Sequence, residues 1–241
     1  MNLPGGNVQA RQGFSRTVVD LRPYGVPRVF TDGRALYTEN LVPGQSVYGE
    51  RLIRQHGTEF RAWDPHRSKL AALLLKGWTI LPLRRTSEVL YLGAATGTTV
   101  SHLSDLCSEG MVYAVEVSRR AFQGLVALAE KRHNLLPILA DAGRPDAYAH
   151  TVTNVDLLYQ DIAQRDQVPI FAKNLRFLDP DGAAILMVKA RSIDVARKPS
   201  GIYREVRTQL ERAGLHVLAV VPLEPFQADH AAVIAEPTES Q

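Results

Sequence analysis

The sequence predicts an α/β protein in which a largely parallel sheet, covered by helices on both faces, follows a small antiparallel β unit. Three observations carry this expectation. After Leu83, short apolar runs recur at 89–92, 111–115, 135–140, 155–159, 183–188, 216–221 and 231–235. Helical patterns at about 98–107, 118–133, 167–178 and 201–213 lie between several of them. Continuous apolar strands alternating with helices describe a sheet buried on both faces. The segment before about Gly57, by contrast, is rich in Gly and Pro and holds only short β-prone pieces.

Taken in order, residues 1–57 form the expected N-terminal β unit and residues 58–241 the α/β domain. The first dozen residues, with Gly5-Gly6 and few large apolar groups, are expected to fray. Strand-forming pieces follow at 17–21, 28–31 and 46–48, and Asp32-Gly33, ahead of 34–38, signals a tight hairpin turn. Ser68 is placed to cap a helix over 69–76, which Gly77 helps to end. The last two apolar runs are joined by a short Pro-containing segment and should pair antiparallel.

Composition excludes several classes. With 241 residues, 45% apolar and 22% charged, the chain suits one good core with a small appendage and does not suit disorder. It has no run of roughly 20 apolar residues and no basic-then-apolar start, so no membrane association is expected and the cytoplasm is the expected location. The single cysteine, Cys107, has no internal disulfide partner and sits in a helical pattern that predicts a buried thiol. The histidines show no metal-ligand spacing, and no metal is expected. Net charge is +3, unevenly spread: six basic residues between Arg61 and Arg85 face only Asp64, and seven between Lys189 and Arg212 face three acids. Two such regions suit a polyanion, or equally two solvated helix faces; charge alone does not choose.

The chemistry concentrates where strands end. The first run of the α/β domain closes in Gly93-Ala94-Ala95-Thr96-Gly97-Thr98-Thr99 and enters a helix, a turn whose small residues let backbone approach a ligand. The second closes in Val115-Glu116, where an acid can accept hydrogen bonds from ribose hydroxyls. The third and fourth close in Asp141-Ala142 and Gln160-Asp161. A dinucleotide enzyme shares the glycine turn and the ribose acid. Asp141, placed to accept from an adenine amino group, and a turn that is not G-x-G-x-x-G favour S-adenosylmethionine (SAM) over a dinucleotide.

Two long stretches, Phe60-Arg61-Ala62-Trp63-Asp64-Pro65-His66-Arg67-Ser68-Lys69-Leu70-Ala71-Ala72 and Tyr91 through His102, resemble signatures of the fibrillarin family. The resemblance extends to 40–50, 141–145, 160–164, 189–194 and Asp229-His230, and covers about 25–236. It implies a Rossmann-like SAM-dependent methyltransferase sheet behind the N-terminal β unit. Carried over residue by residue, the SAM contacts are Gly93, Ala95, Thr98, Thr99, Glu116, Val117, Asp141, Ala142, Asp161, Ile162, Ala163 and Gln164. Val117 departs from the family's usual aromatic residue, and Asp64 and His66 from its usual Asn and aromatic.

The resemblance also implies a Lys-Asp-Lys-His catalytic set, matched by Lys69, Asp161, Lys189 and His230. The strand reading alone puts Asp161, Lys189 and His230 at one edge of the sheet. Methylating a ribose 2′-hydroxyl needs alignment and a proton acceptor, and Lys189 is the expected base, because a lysine crowded by another cation and partly desolvated can lose its proton. Lys69 and Asp161 would position the ribose and tune Lys189, with His230 orienting the group. The implied function is ribose methylation of rRNA, and of tRNA as well, directed by box C/D guide RNA. The implied partners are a Nop-type scaffold protein and a kink-turn-binding ribosomal-type protein. A non-catalytic assembly subunit is the alternative from another class, and a dinucleotide oxidoreductase the third.

Overall fold

The computed structural model describes residues 20–238. The expectation of a frayed first dozen residues, and most of the strand expected at 17–21, lie outside them. The N-terminal sheet is antiparallel, in the order β1 (Arg22–Pro23), β2 (Val29–Thr31), β3 (Leu36–Glu39), β5 (Thr58–Trp63) and β4 (Leu52–Gln55). Asp32-Gly33 does turn the chain between β2 and β3, where Thr31 pairs with Leu36. Gly33 takes φ +88°, and the Asp32 carboxylate accepts the amides of Arg34 and Ala35.

Two expectations change here. Residues 46–48 are not a strand, because the amides of Val47 and Tyr48 donate to the Glu50 carboxylate instead of to a ladder. The antiparallel unit also runs past residue 57: β5 pairs with both β3 and β4, which carries the sheet to Trp63.

The second sheet has the order β11 (Leu215–Pro222), β12 (His230–Pro237), β10 (Leu178–Lys189), β9 (Val155–Gln160), β6 (Glu88–Leu92), β7 (Met111–Glu116), β8 (Leu135–Leu139). The strands from β10 to β8 run parallel; β12 is antiparallel to both β10 and β11, as the short connection predicts. Chain order reverses at the β6–β9 pair, and open sheets of this kind bind ligands beyond the carboxyl ends of the strands at that point. The helices are α1 (Lys69–Leu75), α2 (Thr98–Leu106), α3 (Arg119–Ala129), α4 (Gln167–Asn174), α5 (Ala190–Ile193) and α6 (Pro199–Arg212). Helix α3 stops short of the expected 133, and α4 of the expected 178, where a short 3₁₀ turn leads straight into β10. No helix among the described residues is long and apolar enough to cross a membrane.

Alternate residues of the central strands feed two cores. Tyr91, Leu157, Tyr159 and Ile185 face one, and Leu90, Leu92, Leu158 and Leu186 the other. The first core continues into the N-terminal unit through Val29, Leu36 and Trp63. A buried charge network crosses the same junction. Arg61 is wholly buried, donating to Glu50 at 2.6 Å and to Asp105 at 2.9 Å; Arg132 donates to Asp105 at 2.7 Å. His102 bridges the hydroxyls of Thr38 and Tyr48 and stacks on Trp63 at 4.8 Å. Arg61 therefore contributes nothing to a basic surface. Arg85, Arg191 and Arg197 are paired with Glu109, Asp229 and Glu205, so formal charge overstates the free cations of both basic regions. Cys107 is buried, as its place in the pattern predicts, and burial pushes its thiol up to about 12.

Candidate active site

The turn after β6 is built for close approach. Gly93 takes φ +83°, and a Cβ there would lie 2.5 Å from the Asp161 carbonyl oxygen, so only glycine lets the β6 and β9 exits cross. The Gly93 and Ala94 amides donate to the Val115 carbonyl, and the Asp161 amide to that of Leu92. The turn is thus tied to the strand ends on both sides.

Ten of the twelve expected cofactor contacts line one cleft of about 270 Å³ beyond these strand ends: Gly93, Ala95, Glu116, Val117, Asp141, Ala142, Asp161, Ile162, Ala163 and Gln164. Thr98 and Thr99 do not line it. Thr98 lines a separate cavity with Thr96 and Lys131, while Thr99 is buried and its hydroxyl donates to Ser68 Oγ at 3.0 Å. Ser68 also caps α1 by accepting from the Ala71 amide, as the sequence pattern anticipates.

The Glu116 carboxylate is fixed from both ends: one oxygen accepts the Ala95 amide at 2.8 Å and the other the Ser118 amide at 2.7 Å. Each oxygen retains lone pairs for ribose hydroxyls. Asp141 is half-exposed, with one oxygen accepting the Gly143 amide. Val117, 59% exposed, offers with Ile162 an apolar wall for a flat ring. Three carboxylates and no Lys or Arg line the cleft among the described residues. Lys69 and Arg144 stand against Asp161 and Asp141, which leaves Glu116 as the carboxylate without an ion partner among the described residues, and the Ala95 amide a phosphate would need is already donated to it. SAM, with its sulfonium, ribose and adenine, fits this donor set.

The four expected catalytic residues meet beside the cleft. Lys69, the first residue of α1, places Nζ 2.7 Å from both carboxylate oxygens of Asp161, just past the end of β9. Lys189 ends β10 and pairs across the ladder with His230, which opens β12. Among the described residues Lys189 forms no ion pair, unlike Lys69. Burial, helped by the Lys69 and Lys189 cations, holds the His230 imidazole below its ordinary value, with Asp161 and the Ala228 carbonyl pulling the other way. Nδ1 lies 2.6 Å from that carbonyl, so the neutral ring donates there and leaves Nε2 as an acceptor. Asp64 accepts the His66 amide, and the His66 ring meets Phe226 edge-on at 5.7 Å.

Sequence reasoning missed Gln167, a fully buried residue at the start of α4. Its side-chain oxygen accepts the Lys189 amide at 3.1 Å, and its side-chain nitrogen donates to the Gln164 and Lys189 carbonyls. A polar residue opening a mostly apolar helix was the only signal.

The family model described as Fibrillarin matches residues 22–239. A fibrillarin-like rRNA/tRNA 2′-O-methyltransferase of Methanosarcina mazei is 52% identical over 88% of this chain and 94% of its own. The structure of Aeropyrum pernix fibrillarin with natively bound S-adenosyl-L-methionine is 43% identical, with a TM-score of 0.80 over 90% of this chain and 99% of that one. A fibrillarin from a complex with Nop5p is 40% identical, with a TM-score of 0.82 over 88% of this chain and 98% of that one. The family match over residues 22–239 and these identities place the chain in the fibrillarin family, to which it belongs.

Proposed function

We propose that this chain transfers the methyl group of SAM to the ribose 2′-hydroxyl of rRNA and tRNA nucleotides chosen by a box C/D guide RNA. It does so in the cytoplasm within a ribonucleoprotein, held by a Nop-type scaffold protein and accompanied by a kink-turn-binding ribosomal-type protein. The observation that carries this reading is the cleft lined by Glu116, Asp141 and Asp161, with no Lys or Arg lining it among the described residues, opening beside Lys69, Asp161, Lys189 and His230. The relatives' activity, and the solved complex of a fibrillarin with Nop5p, support the RNA and scaffold assignments.

SAM supplies a methyl group already activated by its positive sulfur. The chain's own work is to bind, align and accept a proton. Glu116 and Asp141 hold the ribose hydroxyls and the adenine edge, and Val117 and Ile162 flank the ring. Asp161 fixes the Lys69 ammonium through both oxygens, giving the target ribose a rigid polar seat. Lys189, with no acid partner among the described residues, takes the 2′-hydroxyl proton on Nζ when it is the neutral amine. Neutral His230 adds no positive charge beside the Lys69 ammonium. One observation favours a second reading of the base: His230 Nε2 is itself an unprotonated acceptor.

The test is transfer of labelled methyl to a target RNA, first with the chain alone and then with guide RNA and scaffold proteins. Lys189→Ala should keep SAM binding and lower the rate on the order of 100-fold or more. Loss confined to His230→Asn moves the base to His230. No transfer in the assembled mixture, with SAM bound, makes the chain an assembly subunit.

A further inference from the structure

Lys189 sits where the sheet runs out beneath it. Strand β9 matches β10 only as far as the Gln160–Leu186 pair; beyond it the chain leaves as the 161–164 loop that walls the cofactor cleft. In a strand, the N–H and C=O of one residue point to the same side. Those of Lys189 point toward the vacated β9 position, while the next amide, of Ala190, points the other way and donates to the Asp229 carbonyl. Among the described residues Lys189 therefore has no backbone partner on the β9 side.

Gln167 supplies one. Its carboxamide has the donor and acceptor of a peptide group, and it answers both Lys189 groups, at 3.1 and 3.2 Å. The same nitrogen reaches the Gln164 carbonyl at 2.7 Å, and the Gln167 carbonyl accepts the side-chain amide of Gln160 at 2.7 Å. Gln160 and Gln167 are both wholly buried; both ends of the Gln167 carboxamide are paired, while the Gln160 side-chain oxygen has no partner among the described residues, so the rigid part of this network is its Gln167 end. One residue thus joins the cofactor loop and the backbone of the proposed base through its side chain, and the end of β9 through its carbonyl.

We infer that Gln167 is a positioning residue that stands in for a missing strand, locking Lys189 in register with the 161–164 loop and so aligning base and methyl donor. This rests on the proposed role of Lys189. The loop and the lysine are the two parts whose relative placement the reaction needs, and Gln167 touches both without lining the cleft.

Gln167→Met keeps the shape and removes both hydrogen-bonding ends. In the assembled complex with guide RNA, kcat should fall on the order of 10- to 100-fold. The KM for SAM should change far less, because the other cleft contacts remain. The deciding measurement is a double-mutant cycle with Lys189→Ala. If Gln167 acts through Lys189, the double variant is no slower than Lys189→Ala alone. Multiplying losses, or an unchanged kcat in Gln167→Met, overturn the inference. A slow Gln167→Met beside a fully active Lys189→Ala also overturns it, and locates the failure in the base assignment. Should Gln167→Met fail to fold, Gln167→Glu retains the acceptor for the Lys189 amide while losing the donor, and the same cycle applies.

Discussion

Gly93→Ala tests whether the crossing of the β6 and β9 exits sets the geometry of the site. The added Cβ would sit 2.5 Å from the Asp161 carbonyl oxygen and 2.9 Å from Ile162 Cγ1, at a backbone φ of +83°. The left-handed backbone alone costs an L-residue roughly 1–2 kcal/mol. Ordinary contact begins at 3.4 Å, so the Asp161 carbonyl must retreat by about 0.9 Å. That oxygen is backbone, and the same residue holds Lys69 through both carboxylate oxygens, so the retreat carries the Lys69 seat with it. A misplacement of about 1 Å costs on the order of 100-fold in rate. With strain and displacement together, stability should fall by about 2–4 kcal/mol. The assays are thermal melting, calorimetric titration with SAM, and methyl transfer in the assembled complex. SAM affinity and transfer both within about twofold of wild type would refute the reasoning, whatever the melting point did.

Arg61→Met should lower stability by about 3–5 kcal/mol, since it strips a wholly buried cation from Glu50 and Asp105. Calorimetry should then show a melting temperature lower by roughly 6–20 °C in a chain of this size. Acid should destabilise the protein before its carboxylates titrate. Burial holds His102 well below its usual 6.5 and His230 below it, so as pH falls past 6.5 the unfolded chain binds protons that the folded chain refuses. Stability present above 6.5 is therefore lost as pH drops toward the depressed folded values, and melting curves from about pH 7 to about pH 5.5 should show it, with a smaller loss in His102→Gln.

The α/β sheet was legible because its strands are buried on both faces and so read as unbroken apolar runs. The strand-end acids were legible for the same reason: Glu116, Asp141 and Asp161 stand out where apolar runs stop. Register then brings Lys189 opposite His230. The N-terminal sheet was harder. In β5, Glu59 and Arg61 are buried with their own ion partners, which erases the apolar alternation that marks a half-buried strand. Ser46-Val47-Tyr48 has strand-like composition, but nothing local says that Glu50 will capture two of its amides. Thr98 and Thr99 belong to the right motif, yet the first turn of α2 directs their side chains to a neighbouring cavity and to Ser68. Gln167 escaped notice because its partners are backbone groups of residues 164 and 189, which no side-chain pattern records.

The buried network between the sheets also governs how the molecule is assembled. Arg61 and Glu50 come from the N-terminal unit, Asp105 and Arg132 from α2 and the segment after α3, so each side brings one cation and one anion. Apolar contact is non-directional and by itself would let two faces slide, whereas charge-assisted hydrogen bonds are directional and penalise a shift of a fraction of an ångström. The four ions act as dowels between two blocks. Because Asp105 lies on the helix that begins at the glycine turn, the blocks are indexed directly to the methyl-donor cleft. The outer unit is thereby held at a fixed offset from the reacting centre by a buried ruler of charge.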